Sequence, residues 1–129
     1  MKLPDFRTAL VIVDNWNRRD SVVESLEHES WIVHGIRRAE QALPVLAHIP
    51  YELIIIDCEL PGFGGKDFGR LMHSAREWRA IHLVVLTSCT SAPLATELAH
   101  LGALPSQKRS LVGRSYPLLG HLAVKNGQV

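Results

Sequence analysis

Three polar residues each stand directly after an apolar run of this sequence: Asp14, Asp57 and Thr87. An aspartate can act as a nucleophile towards phosphorus and form an acyl phosphate. Magnesium prefers oxygen ligands and usually binds through one or two carboxylates together with phosphate oxygens. A threonine hydroxyl can hydrogen-bond a further phosphate oxygen. If the fold brings the three side chains together, the set suits phosphoryl transfer with a divalent cation.

The apolar runs predict the strands that would position these residues. They are rich in β-branched side chains and continuous rather than alternating, which is typical of strands buried on both faces. The carboxyl ends of parallel strands share one edge of a sheet, where ligands bind. We therefore expect Asp14, Asp57 and Thr87 to meet at that edge. The predicted strands cover residues 9–13, 31–33, 53–56 and 83–86.

Segments with helical spacing alternate with these runs, which favours an α/β fold with a parallel sheet covered by helices. Asn17 or Asp20 can cap the first helix, and Pro44 is an awkward interior residue of the second. A fifth strand is expected within residues 102–108, although Pro105 cannot donate a hydrogen bond to a ladder. The predicted helices cover residues 17–28, 39–47, 68–75, 94–101 and 116–124.

The bulk composition is that of a single globular domain. The 129 residues are 47% hydrophobic and 21% charged, and the formal net charge is +1. That charge gives no reason to expect direct nucleic-acid binding or attraction to an anionic membrane, and no apolar run reaches the ~18 residues of a transmembrane helix. The basic pairs at 18–19 and 37–38 are interpreted as solvated surface. We expect a cytoplasmic protein whose two cysteines, Cys58 and Cys89, are reduced.

Short motifs surround the three polar residues in a fixed order along the chain. They are Val13-Asp14, Ile55-Ile56-Asp57, Leu60-Pro61-Gly62, Gly64-Gly65, Leu86-Thr87-Ser88, Gly102-Ala103 and Lys108. Together they resemble the receiver domain of response regulators in two-component signalling, over nearly the whole chain. The resemblance implies a flavodoxin-like, doubly wound α/β fold: a five-stranded parallel sheet of order 2-1-3-4-5 with helices on both faces. It also implies one domain over residues 1–129, with an ordered core over about 7–124.

The resemblance implies a role for each site residue. Asp57 is the phosphoacceptor, and Thr87 and Lys108 hold phosphoryl oxygens. Asp14 and Asp57 bind a divalent cation, Mg²⁺ or Mn²⁺. The phosphoryl donor is a histidine kinase or a histidine phosphotransfer protein, so the chain is a signalling domain rather than a conventional enzyme. A stand-alone regulator, a receiver of a larger regulator or hybrid sensor kinase, and a weak homodimer all remain open.

Three departures from the family pattern affect the metal side and the output side of the site. Receivers usually carry a second acid after the first strand, where this chain has Asn15. Asn15 can coordinate through its amide oxygen with one charge fewer, and Glu59 can return a carboxylate to the cation. The segment before Lys108 lacks the usual aromatic residue, and Arg109 stands where proline usually follows the lysine.

These departures leave a second function open: a pseudo-receiver that acts as a phosphorylation-independent protein interaction module. The intact residues Asp57, Thr87 and Lys108 favour the phosphoacceptor instead. A flavin-binding protein on the same fold would need a Ser-, Thr- or Gly-rich phosphate loop after the first strand, and residues 14–18 are not such a loop. The flavoprotein is therefore the least favoured of the three functions.

The asparagine at position 15 predicts weaker magnesium binding than a pair of adjacent acids gives, because hard-cation affinity depends on ligand charge. We expect Asn15→Asp to tighten Mg²⁺ binding and Glu59→Gln to weaken it. Trp16 is adjacent in sequence, so its fluorescence can follow the titration. Unchanged affinity in both variants would contradict this account of the metal ligands.

Overall fold

A computed structural model describes residues 7–87, the helical positions 93, 96, 99 and 100, and residues 103–107. The strands are β1 (Arg7–Ile12), β2 (Trp31–Ile36), β3 (Leu53–Asp57), β4 (His82–Thr87) and β5 (Ala103–Gln107). They form one sheet in which every pair of neighbours is parallel. Its order is β2-β1-β3-β4-β5. This confirms the predicted doubly wound, flavodoxin-like topology.

The strands β1, β3 and β4 are buried on both faces of the sheet, which explains why they read as continuous apolar runs. One face packs Val11 and Ile55 against Val22 and Leu26 of the helix that follows β1. The other face carries a second cluster, in which Ile12, Ile54, Ile56 and Val85 pack against Phe68 and Met72 of the helix that follows β3. Since the middle of the sheet is dry on both sides, polar chemistry is confined to its edges and ends.

The helices differ in detail from the prediction. The first helix starts at its own cap, because the side chain of Asn15 accepts the backbone N–H of Arg18 at 3.0 Å; the expectation that Asn17 or Asp20 caps it is wrong. The predicted helix over 39–47 is split into a 3₁₀ turn and a five-residue α-helix. Pro44 lies in the first turn of that short helix. Backbone N–H groups there have no intrahelical acceptor, so the proline, which lacks an N–H, costs no helical hydrogen bond. The α-helices are α1 (Trp16–His28), α2 (Ala42–Leu46) and α3 (Gly65–Ser74), and the 3₁₀ turns are Ala39–Gln41 and Arg76–Trp78.

Strand β5 forms despite its proline. Among the described residues it pairs with β4 alone, and Pro105 lies opposite Val85. An end position tolerates proline, because only one side of an edge strand must supply hydrogen bonds to a neighbour. Of the predicted helix over 94–101, positions 96, 99 and 100 are described and are helical. Lys108 and the predicted helix over 116–124 lie outside the described residues. Within the described residues, no helix is long and apolar enough to cross a membrane.

The position of β3 between two core clusters gives a stability prediction. Ile55 is 0% exposed, whereas Ile32 on the edge strand β2 is 41% exposed. We expect Ile55→Ala to lower the free energy of unfolding by about 2–5 kcal/mol, because it leaves a cavity in a packed layer. The matched control Ile32→Ala should cost less than about 1 kcal/mol. Urea unfolding followed by circular dichroism measures both, and equal losses would contradict the central place of β3.

Candidate functional site

The register of the sheet brings the three polar residues to one edge. Ile12 near the end of β1 lies opposite Ile56 of β3, and Asp57 lies opposite Leu86 of β4. Asp57 and Thr87 are therefore the last residues of two neighbouring strands, and Asp14 follows β1 by two residues. The site sits where the chain leaves β1 for one face of the sheet and β3 for the other, which is the switch point of a doubly wound fold.

Asp57 is a buried carboxylate held by the loop that follows it. The residue is only 6% exposed, and the backbone N–H of Glu59 donates a hydrogen bond to its Oδ1 at 2.9 Å. Thr87 is 4% exposed beside it on the next strand. The backbone N–H of Cys58 donates to the carbonyl of Leu86 at 2.8 Å and ties the two strand ends together. This places a carboxylate and a hydroxyl at the same end of two paired strands.

Two glycines let the loop after β3 fold tightly over Asp57. A Cβ at Gly64 would lie 2.8 Å from the carbonyl oxygen of Cys58. A Cβ at Gly65 would lie 2.9 Å from the Cα of Cys58 and 3.3 Å from the carbonyl oxygen of Asp57. Because these neighbours are backbone atoms, they cannot move aside as a flexible side chain can. The glycines are thus required for the close return of the chain beside Asp57.

Two guanidinium groups lie at the turn after β1. Nη2 of Arg37 is 3.3 Å from Oδ1 of Asp14, and the two side chains are 64% and 40% exposed. Nη1 of Arg19 donates to the backbone carbonyls of Val13 at 2.8 Å and Asp14 at 3.3 Å. Arg37 is exposed, as the interpretation of the basic pairs as solvated surface expects, whereas Arg19 is half-buried and held by the backbone of this turn. Positive charge, rather than a second acid, accompanies Asp14.

Comparisons with solved structures bear on this architecture. A signal receiver domain of a DNA-binding response regulator from Colwellia psychrerythraea superposes with a TM-score of 0.81 at 17% identity, over 97% of this chain and all 100% of that one. The chemotaxis response regulator CheY4 of Vibrio cholerae gives 0.72 at 21% identity, over 96% of this chain and 98% of its own. A receiver domain of a histidine kinase from Syntrophus aciditrophicus gives 0.78 at 18%, over 95% and 90%.

The chain has the receiver-domain fold. No protein-family model matches the sequence, and no curated protein matches it. At these identities the likeness is one of backbone architecture. The roles of individual residues in this receiver fold therefore rest on the side chains themselves.

The remaining predicted site residues lie in different surroundings. Asn15 is exposed, and its amide oxygen accepts the capping hydrogen bond at the start of α1. Glu59 is exposed in the loop after Asp57. Lys108 lies outside the described residues, but Gln107 immediately before it pairs with Thr87. The metal-binding roles of Asn15 and Glu59 stay predictions.

The carboxylates at this edge of the receiver fold suit a cation that keeps most of its water ligands. Among the described residues, no group of three or more His, Cys, Asp or Glu side chains is placed to hold a metal ion. Asp14 and Asp57 offer two carboxylates at neighbouring strand ends. Mg²⁺ usually binds through one or two carboxylates and completes its shell with waters and phosphate oxygens. The two residues therefore fit Mg²⁺ better than a cation that needs a full protein cage.

Arg37 and Arg19 were missed as residues near Asp14 for two different reasons. The prediction ended the second strand at residue 33, whereas β2 continues to Ile36, opposite Ile12. Arg37 therefore directly follows the end of a strand, at the same edge of the sheet as Asp57 and Thr87. Gly35 was a further signal, because a Cβ there would come within 3.2 Å of Cδ of Arg19. A glycine inside a strand often marks the close approach of another group.

The close approach of Gly65 to the backbone of Asp57 and Cys58 predicts that a single methyl group at this position disturbs both residues. We expect Gly65→Ala to destabilise the fold by about 1–3 kcal/mol through overpacking and to shift the amide resonances of Asp57 and Cys58. Gly62→Ala is the comparison in the same loop: its φ of +74° strains an alanine, but its Cβ would meet no backbone atom and only Oε1 of Glu40 at 3.9 Å. Its strain should therefore shift the Asp57 resonance less than the clash in Gly65→Ala does. Equal shifts in the two variants would contradict the contact.

Proposed function

We propose that this chain is the phosphoacceptor receiver domain of a two-component signalling system and accepts its phosphoryl group on Asp57. The observation that carries the proposal is the placement of a buried, backbone-held carboxylate at the end of a central strand, beside Thr87. Crevices at the carboxyl ends of parallel strands are where this class of fold binds ligands. The receiver-like architecture of the chain supports the same function.

The transfer step uses the Asp57 carboxylate as an oxygen nucleophile. One oxygen attacks the phosphorus of a phosphohistidine, a new O–P bond forms, and the P–N bond of the donor breaks. The electron pair of that bond stays on the imidazole nitrogen, which takes up a proton from solvent. The hydrogen bond from Glu59 N–H to Oδ1 fixes the orientation of the carboxylate before the attack. Such pre-positioning supplies much of the catalysis in phosphoryl transfer.

Neutral and cationic groups of the chain would hold the transferred phosphoryl oxygens. The hydroxyl of Thr87 would donate a hydrogen bond to one oxygen, and Lys108 would pair with another as a point charge. Asp14 and Asp57 would hold Mg²⁺ or Mn²⁺, with Asn15 or Glu59 as additional ligands. A bound divalent ion supplies neutralisation of the negative charge that builds up on the phosphoryl group.

The phosphoryl donor would be a histidine kinase or a histidine phosphotransfer protein. The structures similar to this one include a receiver from a histidine kinase and another from a DNA-binding response regulator. Both a hybrid kinase and a separate regulator are therefore reasonable settings for the chain.

A pseudo-receiver is the second candidate, and a specific observation favours it. Asn15 replaces an acid and uses its amide oxygen to cap α1, while Arg37 pairs with Asp14. Both features lower the negative charge available to a cation. In a pseudo-receiver, partner binding would be the same for the wild type and for Asp57→Asn.

Phosphorylation from a small-molecule donor tests the proposed function. We expect wild type incubated with acetyl phosphate and Mg²⁺ to gain the mass of one phosphoryl group, and Asp57→Asn to gain none. Asp67→Asn is the matched control, because Asp67 is an exposed acid of α3 that pairs with Arg70 at 3.2 Å. It should be labelled like wild type, at a rate within about twofold. Labelling of Asp57→Asn to the wild-type extent would refute the assignment.

A further inference from the structure

Asp14 already carries a cation that belongs to the protein itself. Its Oδ1 lies 3.3 Å from Nη2 of Arg37, on the connection that follows β2. We propose that Arg37 competes with the divalent cation for Asp14. Either the guanidinium of Arg37 or the metal ion binds the carboxylate, but not both at once. This inference rests on the proposed function, because it assigns a regulator to the same metal site.

Electrostatics make the two cations mutually exclusive. Mg²⁺ binds a carboxylate oxygen at about 2.0–2.1 Å, and a guanidinium within hydrogen-bonding distance of that carboxylate would repel it, with water screening part of the repulsion because both side chains are partly exposed. The residue after Asp14 is the uncharged Asn15, so the guanidinium groups of Arg37 and Arg19 leave this turn without net negative charge. A metal ion must displace the guanidinium to regain the charge of Asp14.

The surroundings of Arg37 let its side chain move while its backbone stays. The backbone N–H groups of Arg37 and Arg38 both donate to Oε1 of Gln41, at 3.2 and 3.0 Å. The guanidinium itself is mostly exposed, at 64%. An exposed ion pair is weak, so a divalent cation can displace it without unfolding the connection.

Arg19 shows how a fixed guanidinium differs from a movable one. It is half-buried, its stem packs over Gly35, and it donates to two backbone carbonyls of the same turn. Its hydrogen bonds do not involve the carboxylate of Asp14. The exchange is therefore a property of Arg37, and the connection between β2 and α2 would report whether the metal site is filled.

Removal of each neighbouring arginine in turn tests the exchange. Calorimetric titration with Mg²⁺ compares wild type, Arg37→Gln and Arg38→Gln, two variants with the same change of net charge one residue apart. We expect Arg37→Gln to tighten the affinity about three- to tenfold, since it removes both the competing pair and a nearby positive charge. Arg38→Gln should change it less than about twofold, and the difference should shrink at 1 M salt.

A second readout follows the side chain directly. In wild type, Mg²⁺ should shift the Nε–H resonance of Arg37 and leave that of Arg19 in place. An equal effect of the two variants, a weaker affinity in Arg37→Gln, or no measurable binding in Arg37→Gln would overturn the exchange.

The outcomes separate this inference from the proposed function. If Asp57 is phosphorylated but both arginine variants bind Mg²⁺ alike, the exchange is wrong and the phosphoacceptor stands. If Arg37→Gln binds Mg²⁺ more tightly but neither it nor wild type is phosphorylated, the exchange stands and the phosphoacceptor is wrong.

Discussion

The parallel pairing of β3 with β1 on one side and β4 on the other is the constraint on which the site depends. Because β3 is buried on both faces, a slip of one residue would turn its apolar side chains to the wrong core cluster. The core therefore specifies the depth at which the strand ends, and Asp57 is its last residue. The same register places Thr87 beside it. Packing thus positions groups that contribute little to the packing itself.

The two carboxylates at this edge are stabilised in different ways. Asp57 is buried and accepts a backbone hydrogen bond from the loop that two glycines fold over it. Asp14 is partly exposed and is neutralised by the side chain of Arg37. A backbone donor cannot leave, whereas an exposed guanidinium can. The carboxylate of Asp57 is consequently held in one orientation, while the charge of Asp14 is partly neutralised by an exposed partner.

The sequence pattern predicted the strands that form the core. It missed features that depend on residues distant in sequence, such as the end of β2 and the ion pair of Arg37. Continuous β-branched runs identified β1, β3 and β4, since burial on both faces leaves that pattern; β2, which is only partly buried, gave a shorter run. The end of β2 was placed three residues early, because His34 and Gly35 interrupt the apolar run while the pairing with β1 continues. Because of that error, Arg37 was not recognised as a residue that directly follows a strand. The cap at Asn15 was missed because the amide was considered as a metal ligand, although a residue just before a helix also serves the helix.

The central claim is that the acyl phosphate forms at Asp57, and chemical trapping of the modified residue tests it most directly. Borohydride reduces an aspartyl phosphate to homoserine, while a phosphate on a hydroxyl is not reduced. The protein would be phosphorylated, reduced, digested and sequenced by mass spectrometry. The account predicts homoserine at position 57 and aspartate at position 14. Homoserine at position 14, or a phosphate that survives reduction on Thr87, would contradict it.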